Sequence, residues 1–595
     1  MRKLHFLILS LILSIGLFFR TYQIIERFEF AHDADLYSWI VKDIVVNHHF
    51  RLIGQLTSAP GIFIGPLFYY LLVPFFILAK MDPVGVLIPS IILGIFTMFS
   101  YYYVFSRLFN QEIGLIGAFL YAVLLATIGS DRWVVPTVTS SIWSIWYFFI
   151  IVKFSQRDFS VLPFLGILIG LIWHIHIALV PILITIPIVL IRTRKIPGLK
   201  QIIGFLLITL LASSPFIIFE ARHNFSQTRS MFNNFTANFG MDKNISEIKE
   251  LVLGSQNNNA KLNLDPASKF SLEVEPQTPK IGDTVNLKIT TKNPKYSTLV
   301  IITDCGNPKQ FEIGSITAVF KWSTVTCSEG NHKIIAIART STDPPLKIIF
   351  DKFINVLGKE NTNINNLFIF PLHLPGTIQY IVTIVILLSP LFAWRMKSLT
   401  TDQFLICYAW ILAVFLFFSF SSIIVSEYYL ASISVIFISS ITVILHKIYQ
   451  IKPLGQYFIP FLLFLLLTKN FLYYISLENY DKGYLEKKAL VEYIAKDMQE
   501  NDYPCIGISY ITALGENTGF RYLFYINKIH LIHPSLDVPV YNIFIPEEFS
   551  QDKTKQKFGH IAVTTPTNAP PKEIIQKSCQ TPNTNLTDSM LGYTD

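Results

Sequence analysis

RKLHFLILSLILSIGLFFRTYQIIERFEFAHDAD, residues 2–35, joins a basic end, an apolar run and two closely spaced acids. The run Leu4–Phe19 lacks a small-residue cleavage site and continues into Arg20-Thr21-Tyr22, so it reads as a retained membrane anchor and not as a signal peptide. Arg2 and Lys3 keep the amino end in the cytoplasm. Asp33 and Asp35 then fall on the outer side of the membrane. Acids near a bilayer are costly, and they face water, a partner or a substrate.

The rest of the chain supports that start. Of 595 residues, 52% are hydrophobic and only 15% charged, and the mean hydropathy is +0.47. A soluble protein of this length carries about a quarter charged residues. Repeated apolar runs of about 17–20 residues indicate a polytopic helical membrane protein. The formal charge of +8 does not indicate nucleic acid. The basic residues mark alternate short connections: Arg107, Lys153 and Arg157, Arg192 to Lys195, Arg395 and Lys397, Lys447 and Lys452. That is the positive-inside pattern of a multi-pass protein of the cell membrane.

Threading the runs by charge predicts about eleven spans. Leu4–Phe19 goes out, Val84–Val104 in, Ile113–Ile128 out and Val138–Val152 in. Val161–Ile191 is too long for one span and is interrupted near Trp173-His174-Ile175-His176, giving two short helices. Ile202–Phe219 emerges at Glu220-Ala221-Arg222-His223. Thr377–Trp394, Phe404–Phe420, Tyr429–Leu445 and Tyr457–Tyr474 complete the thread and leave the carboxyl-terminal region outside. Counting Ile62–Leu78 would invert every later loop. Residues 61–78, entered through Pro60-Gly61 and interrupted by Gly65-Pro66, therefore read as re-entrant or interfacial. Leu36–Val46 suits a helix lying along the interface.

The expected fold is mainly α: a polytopic membrane helical bundle with an inserted extracytoplasmic β-sandwich and a small carboxyl-terminal α/β domain. Residues 1–223 form the amino-terminal membrane module, with the first outer loop at 20–83. An insertion spans 224–366, and its segment 268–356 has short alternating strands separated by Pro-, Gly- and Asn-bearing turns. Residues 367–478 hold the later spans. Residues 479–595 read as an α/β domain with a polar tail, disordered from Thr581. Cys305 with Cys327, and Cys505 with Cys579, fall in the two outer regions and suit two disulfides, free buried thiols being the alternative.

Asp33 and Asp35 are the leading candidates for chemistry. Transfer from an activated phosphate donor needs a base for the acceptor hydroxyl, and one ionised carboxylate suffices for an inverting displacement. An Asp-x-Asp pair can instead hold a divalent cation through hard oxygens. The plain alternatives are an ordinary loop acid at Asp33, a loop histidine at His32 and an N-cap at Asp35 for a helix starting at Leu36. No P-loop, dinucleotide fingerprint, HExxH or CxxC zinc pattern stands out.

Phe30-Ala-His-Asp33-Ala-Asp35-Leu-Tyr, followed by Leu52-Ile-Gly54 and Gly65-Pro-Leu-Phe-Tyr-Tyr70, resembles the first outer loop of GT-C glycosyltransferases. The nearest branch is that of the protein O-mannosyltransferases and lipid A aminoarabinose transferases. Asp131-Arg132-Trp133, Trp173-His-Ile-His176, Phe219 to Phe225 and Glu427-Tyr-Tyr429 extend the resemblance over residues 1–234 and into the later helices. It implies an enzyme that takes a sugar from a polyprenyl-phosphate carrier on the outer leaflet and attaches it to a glycan, lipid or protein acceptor there. Asp33 matches the family's acid, whereas Ala34 replaces the second acid of its usual Asp-Glu pair. The β-rich insertion also departs from the simplest members.

The remaining roles follow from charge. Arg132, Arg222 and His223 lie near the headgroup plane and suit the donor phosphate, with interfacial anchoring as the alternative. Asp131 and Glu220 would orient those cations or pair structurally. His174 and His176 interrupt an apolar run at an i, i+2 spacing that does not make a two-histidine metal site. His176, Glu427 and Tyr428 would line the substrate cavity, an aromatic interface belt being the alternative for the tyrosines. Two other functions fit the composition: a flippase for a lipid-linked sugar, whose acids should lie mid-helix, and a membrane-anchored binding protein using the β-sandwich.

Overall fold

The computed structural model describes residues 2–57, 61–236 and 376–420, and, apart from short connections, residues 270–356 and 431–586. These divide into two compact units. The first draws on Met1–Thr236 and Asn366–Leu485, the second on Ala237–Asn365 and Glu486–Thr587.

The first unit is helical. It begins with α1 (Arg2–Thr21), α2 (His32–Val46), α3 (Leu67–Leu78) and α4 (Leu87–Leu108). Next come α5 (Gln111–Val123), α6 (Leu125–Arg132), α7 (Ser140–Ser155), α8 (Leu162–Ile175) and α9 (Thr185–Thr193). Then follow α10 (Leu199–Ala212), α11 (Ser214–Arg222) and α12 (Ser226–Thr236). The later helices are α13 (Gly376–Arg395), α14 (Thr401–Phe420), α15 (Ser434–Tyr449) and α16 (Leu454–Ser476).

Among the described residues, five helices are long and apolar enough to cross a membrane: Lys3–Thr21, Pro83–Leu108, Pro136–Ser155, Ala431–Tyr449 and Leu454–Ser476. Two helix pairs pass together but are bent, α5 with α6 by 64° and α10 with α11 by 62°. The first bend falls at Leu124, which is extended. The second falls at Ser213, just before Pro215 enters the first turn of α11. Leu67–Leu78, Phe159–Ile175, Ile177–Thr193 and Thr401–Phe417 are shorter apolar helices. The interruption expected near 173–176 falls at His176, which is extended and precedes a 3-10 turn over Ile177–Ile184.

α1, α4, α5, α7, α8 and α15 share a continuous core. Tyr101 stacks on Tyr121 at 4.5 Å between α4 and α5, and Trp143 stacks on Tyr147 at 4.8 Å within α7. Their polar tips are placed inside the bundle: the Trp143 indole N–H donates to the Leu168 carbonyl at 2.7 Å.

The second unit contains two antiparallel sheets. β1 (Phe270–Glu275), β2 (Thr284–Thr291) and β5 (Thr317–Ser323) pair in the order β1-β2-β5. β3 (Tyr296–Thr303), β4 (Lys309–Glu312), β6 (Gly330–Thr340) and β7 (Lys347–Val356) pair as β4-β3-β6-β7. Alternate residues of β2, Val285, Leu287 and Ile289, join Phe320 and Trp322 of β5 and Ile334 of β6 in one buried cluster. Cys327 is disulfide-bonded; Cys305 lies outside the described residues.

The carboxyl-terminal part holds α17 (Tyr484–Glu500), α18 (Arg521–Ile526) and α19 (Lys572–Ser578) with a mixed sheet. Its strands are β8 (Ile506–Thr512), β9 (Leu531–Ile532), β10 (Val540–Ile545), β11 (Gln556–Phe558) and β12 (Ile561–Thr564), in the order β11-β12-β10-β8-β9. β10 runs parallel to β8 and antiparallel to β12. Cys505, just before β8, is disulfide-bonded to Cys579, just after α19.

Candidate active site

Asp33 and Asp35 do not lie in a loop. Both occupy the first turn of α2, whose N-cap is Ala31. Asp35 is therefore not the N-cap of a helix starting at Leu36: its own N–H donates to the Ala31 carbonyl at 3.0 Å. The early start has a local cause. Phe28 and Phe30 make ring contacts with Tyr484 at 5.6 and 5.7 Å, and the Tyr484 N–H donates to the Phe28 carbonyl. That anchor holds Phe30 in the left-handed region, φ 40°, and the chain turns into helix at once. Ala31 offers no side-chain cap, so the two acids in the first turn supply negative charge to the helix amino end. Positions i and i+2 of a helix do not face each other. Asp33 is half-buried, Asp35 is buried and His32 is exposed.

Asp33 meets a short two-stranded ladder. The Gly54 N–H donates to Ile64 O at 2.6 Å, and Ile64 N–H donates to Gln55 O at 2.9 Å. Leu56 and Phe63 form the bridge pair. The Gln55 side chain leaves this ladder and donates through Nε2 to Asp33 Oδ1 at 3.1 Å. Tyr69 of α3, fully buried, donates to Gln55 Oε1 at 3.1 Å and accepts from the Gln55 backbone N–H at 3.0 Å. A Cβ on Gly54 would lie 2.0 Å from Tyr69 Cε2, so only glycine lets the strand rest against that ring.

The ladder is fixed at its other end by His174. Gly65 N–H donates to the Trp173 carbonyl at 2.7 Å. His174 Nε2 donates to the Ala212 carbonyl at 3.0 Å while Nδ1 accepts from the Leu67 N–H at 3.3 Å. One imidazole thus joins α3, α8 and α10, and these partners define its tautomer. His176 accepts from the Ala178 N–H through Nδ1 at 3.1 Å and caps the following turn. Both histidines hold backbone rather than face a common ion.

Beside the ladder lies a groove of about 380 Å³, lined among others by Phe50, Leu52, Tyr70, Leu171, His174 and Leu211. Arg51 borders it and pairs with Asp43 at 2.8 Å, and His49 meets the same Asp43 oxygen at 2.8 Å. Burial pushes the Asp43 carboxyl up, but hydrogen bonds from Asn47, Arg51 and His49 outweigh it and hold it below its usual value.

The other expected residues are dispersed. Asp131 does not orient Arg132: it pairs with Arg20 at 2.7 Å and accepts from the Tyr121 hydroxyl at 2.7 Å. Arg132 donates to the carbonyls of Phe19, Tyr22 and Gln23 and to the Tyr474 hydroxyl, which ties α6 to α1 and α16. Glu220 does not orient Arg222 or His223; it caps α12, accepting from the N–H groups of Gln227 and Thr228 and from the Thr228 hydroxyl. His223 stacks on Phe219 at 4.0 Å and donates to its carbonyl. Arg222 is exposed at the end of α11. Glu427 and Tyr428 lie outside the described residues. Among the described residues, no group of three or more His, Cys, Asp or Glu side chains is arranged to hold a metal ion.

Residues 61–219 match the family model described as dolichyl-phosphate-mannose-protein mannosyltransferase. The matched stretch runs from the second strand of the ladder through α11, and begins after Asp33 and Asp35. This agrees with the resemblance carried by the motifs between Phe30 and Tyr70. No curated protein matches the chain significantly. Solved structures of the Archaeoglobus fulgidus oligosaccharyltransferase are similar. The apo form is 12% identical with a TM-score of 0.42, over 89% of this chain and 64% of that one. The complex with zinc and sulfate is 11% identical with a TM-score of 0.42, over 91% and 68%. The complex of that archaeal enzyme, AglB, with an inhibitory peptide and a dolichol-phosphate is 11% identical with a TM-score of 0.41, over 92% and 70%. This chain thus spans less than two thirds of the apo enzyme's length.

Proposed function

We propose that this protein is an integral membrane glycosyltransferase that moves a monosaccharide from a polyprenyl-phosphate donor to an acceptor hydroxyl on the extracytoplasmic face. The observation that carries the reading is Asp33: a half-buried carboxylate in the first turn of α2, held by one neutral amide and lying ahead of the stretch that matches the family. The acceptor oxygen attacks the anomeric carbon, the bond from that carbon to the phosphate oxygen breaks, and the phosphate leaves with the electron pair. Asp33 takes the acceptor proton, and a single displacement inverts the anomeric centre. Arg222, an exposed cation at a helix end, is our candidate for the donor phosphate. About eleven spans would cross the membrane, with the amino end cytoplasmic. The β-rich insertion, read as a sandwich, and the carboxyl-terminal domain would both stand outside.

The test supplies membranes containing the full chain with radiolabelled polyprenyl-phosphate sugars, dolichyl-phosphate mannose first, and measures release of the polyprenyl phosphate. Surface glycans and glycoproteins with and without the gene are compared by mass spectrometry. Turnover together with loss of one class of glycan is expected. Absence of turnover across the donor panel would reject the reading.

A further inference from the structure

We infer that Tyr69 and Gln55 form a directional hydrogen-bond relay that aims the Asp33 carboxylate, making Gln55 a positioning residue for the transfer. The inference rests on the transferase reading with Asp33 as the base.

The direction follows from the atoms. The Gln55 backbone N–H donates to the Tyr69 hydroxyl oxygen at 3.0 Å. That N–H can only donate, so it takes up an acceptor position on the phenol and leaves the phenol proton to point elsewhere. The proton goes to Gln55 Oε1 at 3.1 Å. With the amide oxygen fixed by this bond, the NH₂ end faces Asp33 and donates to Oδ1 at 3.1 Å. A flipped amide would set its oxygen against a carboxylate oxygen, acceptor against acceptor. Both ends therefore select the same orientation.

The relay is rigid where it needs to be. Tyr69 is completely buried and packs edge-on to Phe68 at 5.6 Å. The Gln55 backbone is held in the ladder by Ile64. Only the last bond reaches the half-buried acid, 22 positions away in sequence. Among the described residues, Gln55 Nε2 donates to the Asp33 side chain, and it occupies Oδ1. Oδ2 is left to receive the acceptor proton. A side chain needed only for the ladder would not have to span this distance, because the ladder bonds are made by backbone.

Positioning and fold are separated by epistasis. The full chain in native membranes is given dolichyl-phosphate mannose, and the rate of dolichyl phosphate release is measured. Gln55→Met keeps length and removes the amide. It is expected to lower kcat by about 10- to 100-fold with the donor KM nearly unchanged, the size of effect produced by misaligning a reacting group. Gln55→Glu, which sets an acceptor against Asp33, should be no better. Tyr69→Phe should cost less, and the Gln55→Met/Tyr69→Phe double variant should be no slower than Gln55→Met alone. In an Asp33→Asn background, Gln55→Met should have no further effect, and all variants should keep the unfolding temperature to within a few degrees. Normal kcat in Gln55→Met, or an undiminished loss in the Asp33→Asn background, would overturn the relay. Full activity of Asp33→Asn would instead reject the base assignment, and the two failures are distinct.

Discussion

Arg20 and Asp131 form a buried ion pair, 2.7 Å from Nη2 to Oδ2, between the first helix and the bent end of the third apolar run. Their exposures are 1% and 2%. Arg20 also donates to the carbonyls of Gly16, Ala122 and Tyr121, and Asp131 accepts a hydrogen bond from the Tyr121 hydroxyl, so the charges are hydrogen-bonded as well as paired. Breaking such a pair leaves one charge without compensation.

Arg20→Met and Asp131→Leu should each lower stability by about 3–5 kcal/mol, while the double variant should lose less than either. Thermal unfolding of the purified protein in detergent measures this, and additive losses would argue against the pairing.

Asp33→Asn should reduce transfer by about 100- to 10,000-fold, the usual contribution of a general base, with little change in unfolding temperature. Asp35→Asn, on the opposite and buried side of the first turn of α2, should show the reverse pattern: a lower unfolding temperature and a smaller loss of transfer.

These two acids mark how far the sequence could be read. The apolar runs were legible because hydropathy acts locally: Leu4–Phe19 and Tyr457–Tyr474 lie inside α1 and α16, and the break at His176 interrupts an obvious run. The Cys505–Cys579 bond was legible from two cysteines sharing one polar region of the chain. The start of α2 was not, because Ala31 carries no capping side chain and the helix begins where Phe28, Phe30 and Tyr484 meet. Neighbours in sequence also misled. Asp131 and Arg132 point apart on their helix and reach Arg20 and the α1 carbonyls respectively. Gln55 carried no signal and Tyr69 only its place in the Gly65–Tyr70 motif, since an amide and a phenol 14 positions apart are linked only when the ladder and α3 bring them together.

Gly65→Ala should destabilise the first unit by about 1–3 kcal/mol through overpacking, because a Cβ there lies 2.4 Å from His174 Nδ1. His174→Ala in the same chain should remove most of that penalty. Calorimetry of the natural protein, the two single variants and the double variant closes the cycle, and an unchanged penalty would show that the clash is elsewhere.

Cys579→Ser should weaken the carboxyl-terminal domain. The bond spans 74 residues, and closing a loop of that size restricts the unfolded chain by about 4 kcal/mol. Denaturant unfolding of the natural sequence and the variant, both under oxidising conditions, should show the variant's carboxyl-terminal domain unfolding at lower denaturant, and coincident transitions would argue against this contribution.

Acid should loosen the end of α2. The folded Asp43 carboxyl is held below the ordinary value of 3.8 by Asn47, Arg51 and His49, against the opposing effect of burial. A depressed carboxyl stabilises the fold above its unfolded value, and that contribution disappears as the pH falls below it. Unfolding temperatures at about pH 6 and about pH 3 should therefore differ more in the natural protein than in Asp43→Asn.

Gly54 gives the proposed site an unusual dependence. Gly54 has no side chain to offer Asp33, yet one added methyl group there would collide with the Tyr69 ring at 2.0 Å. The ring or the strand would have to retreat, and Gln55 sits on that strand and is hydrogen-bonded to the ring's hydroxyl. The aim of the carboxylate is thus set in part by an atom the chain does not have. A screen confined to polar or charged positions would pass over it, and a substitution as mild as Gly54→Ala would disturb the proposed site while every side chain named in its chemistry remained in place.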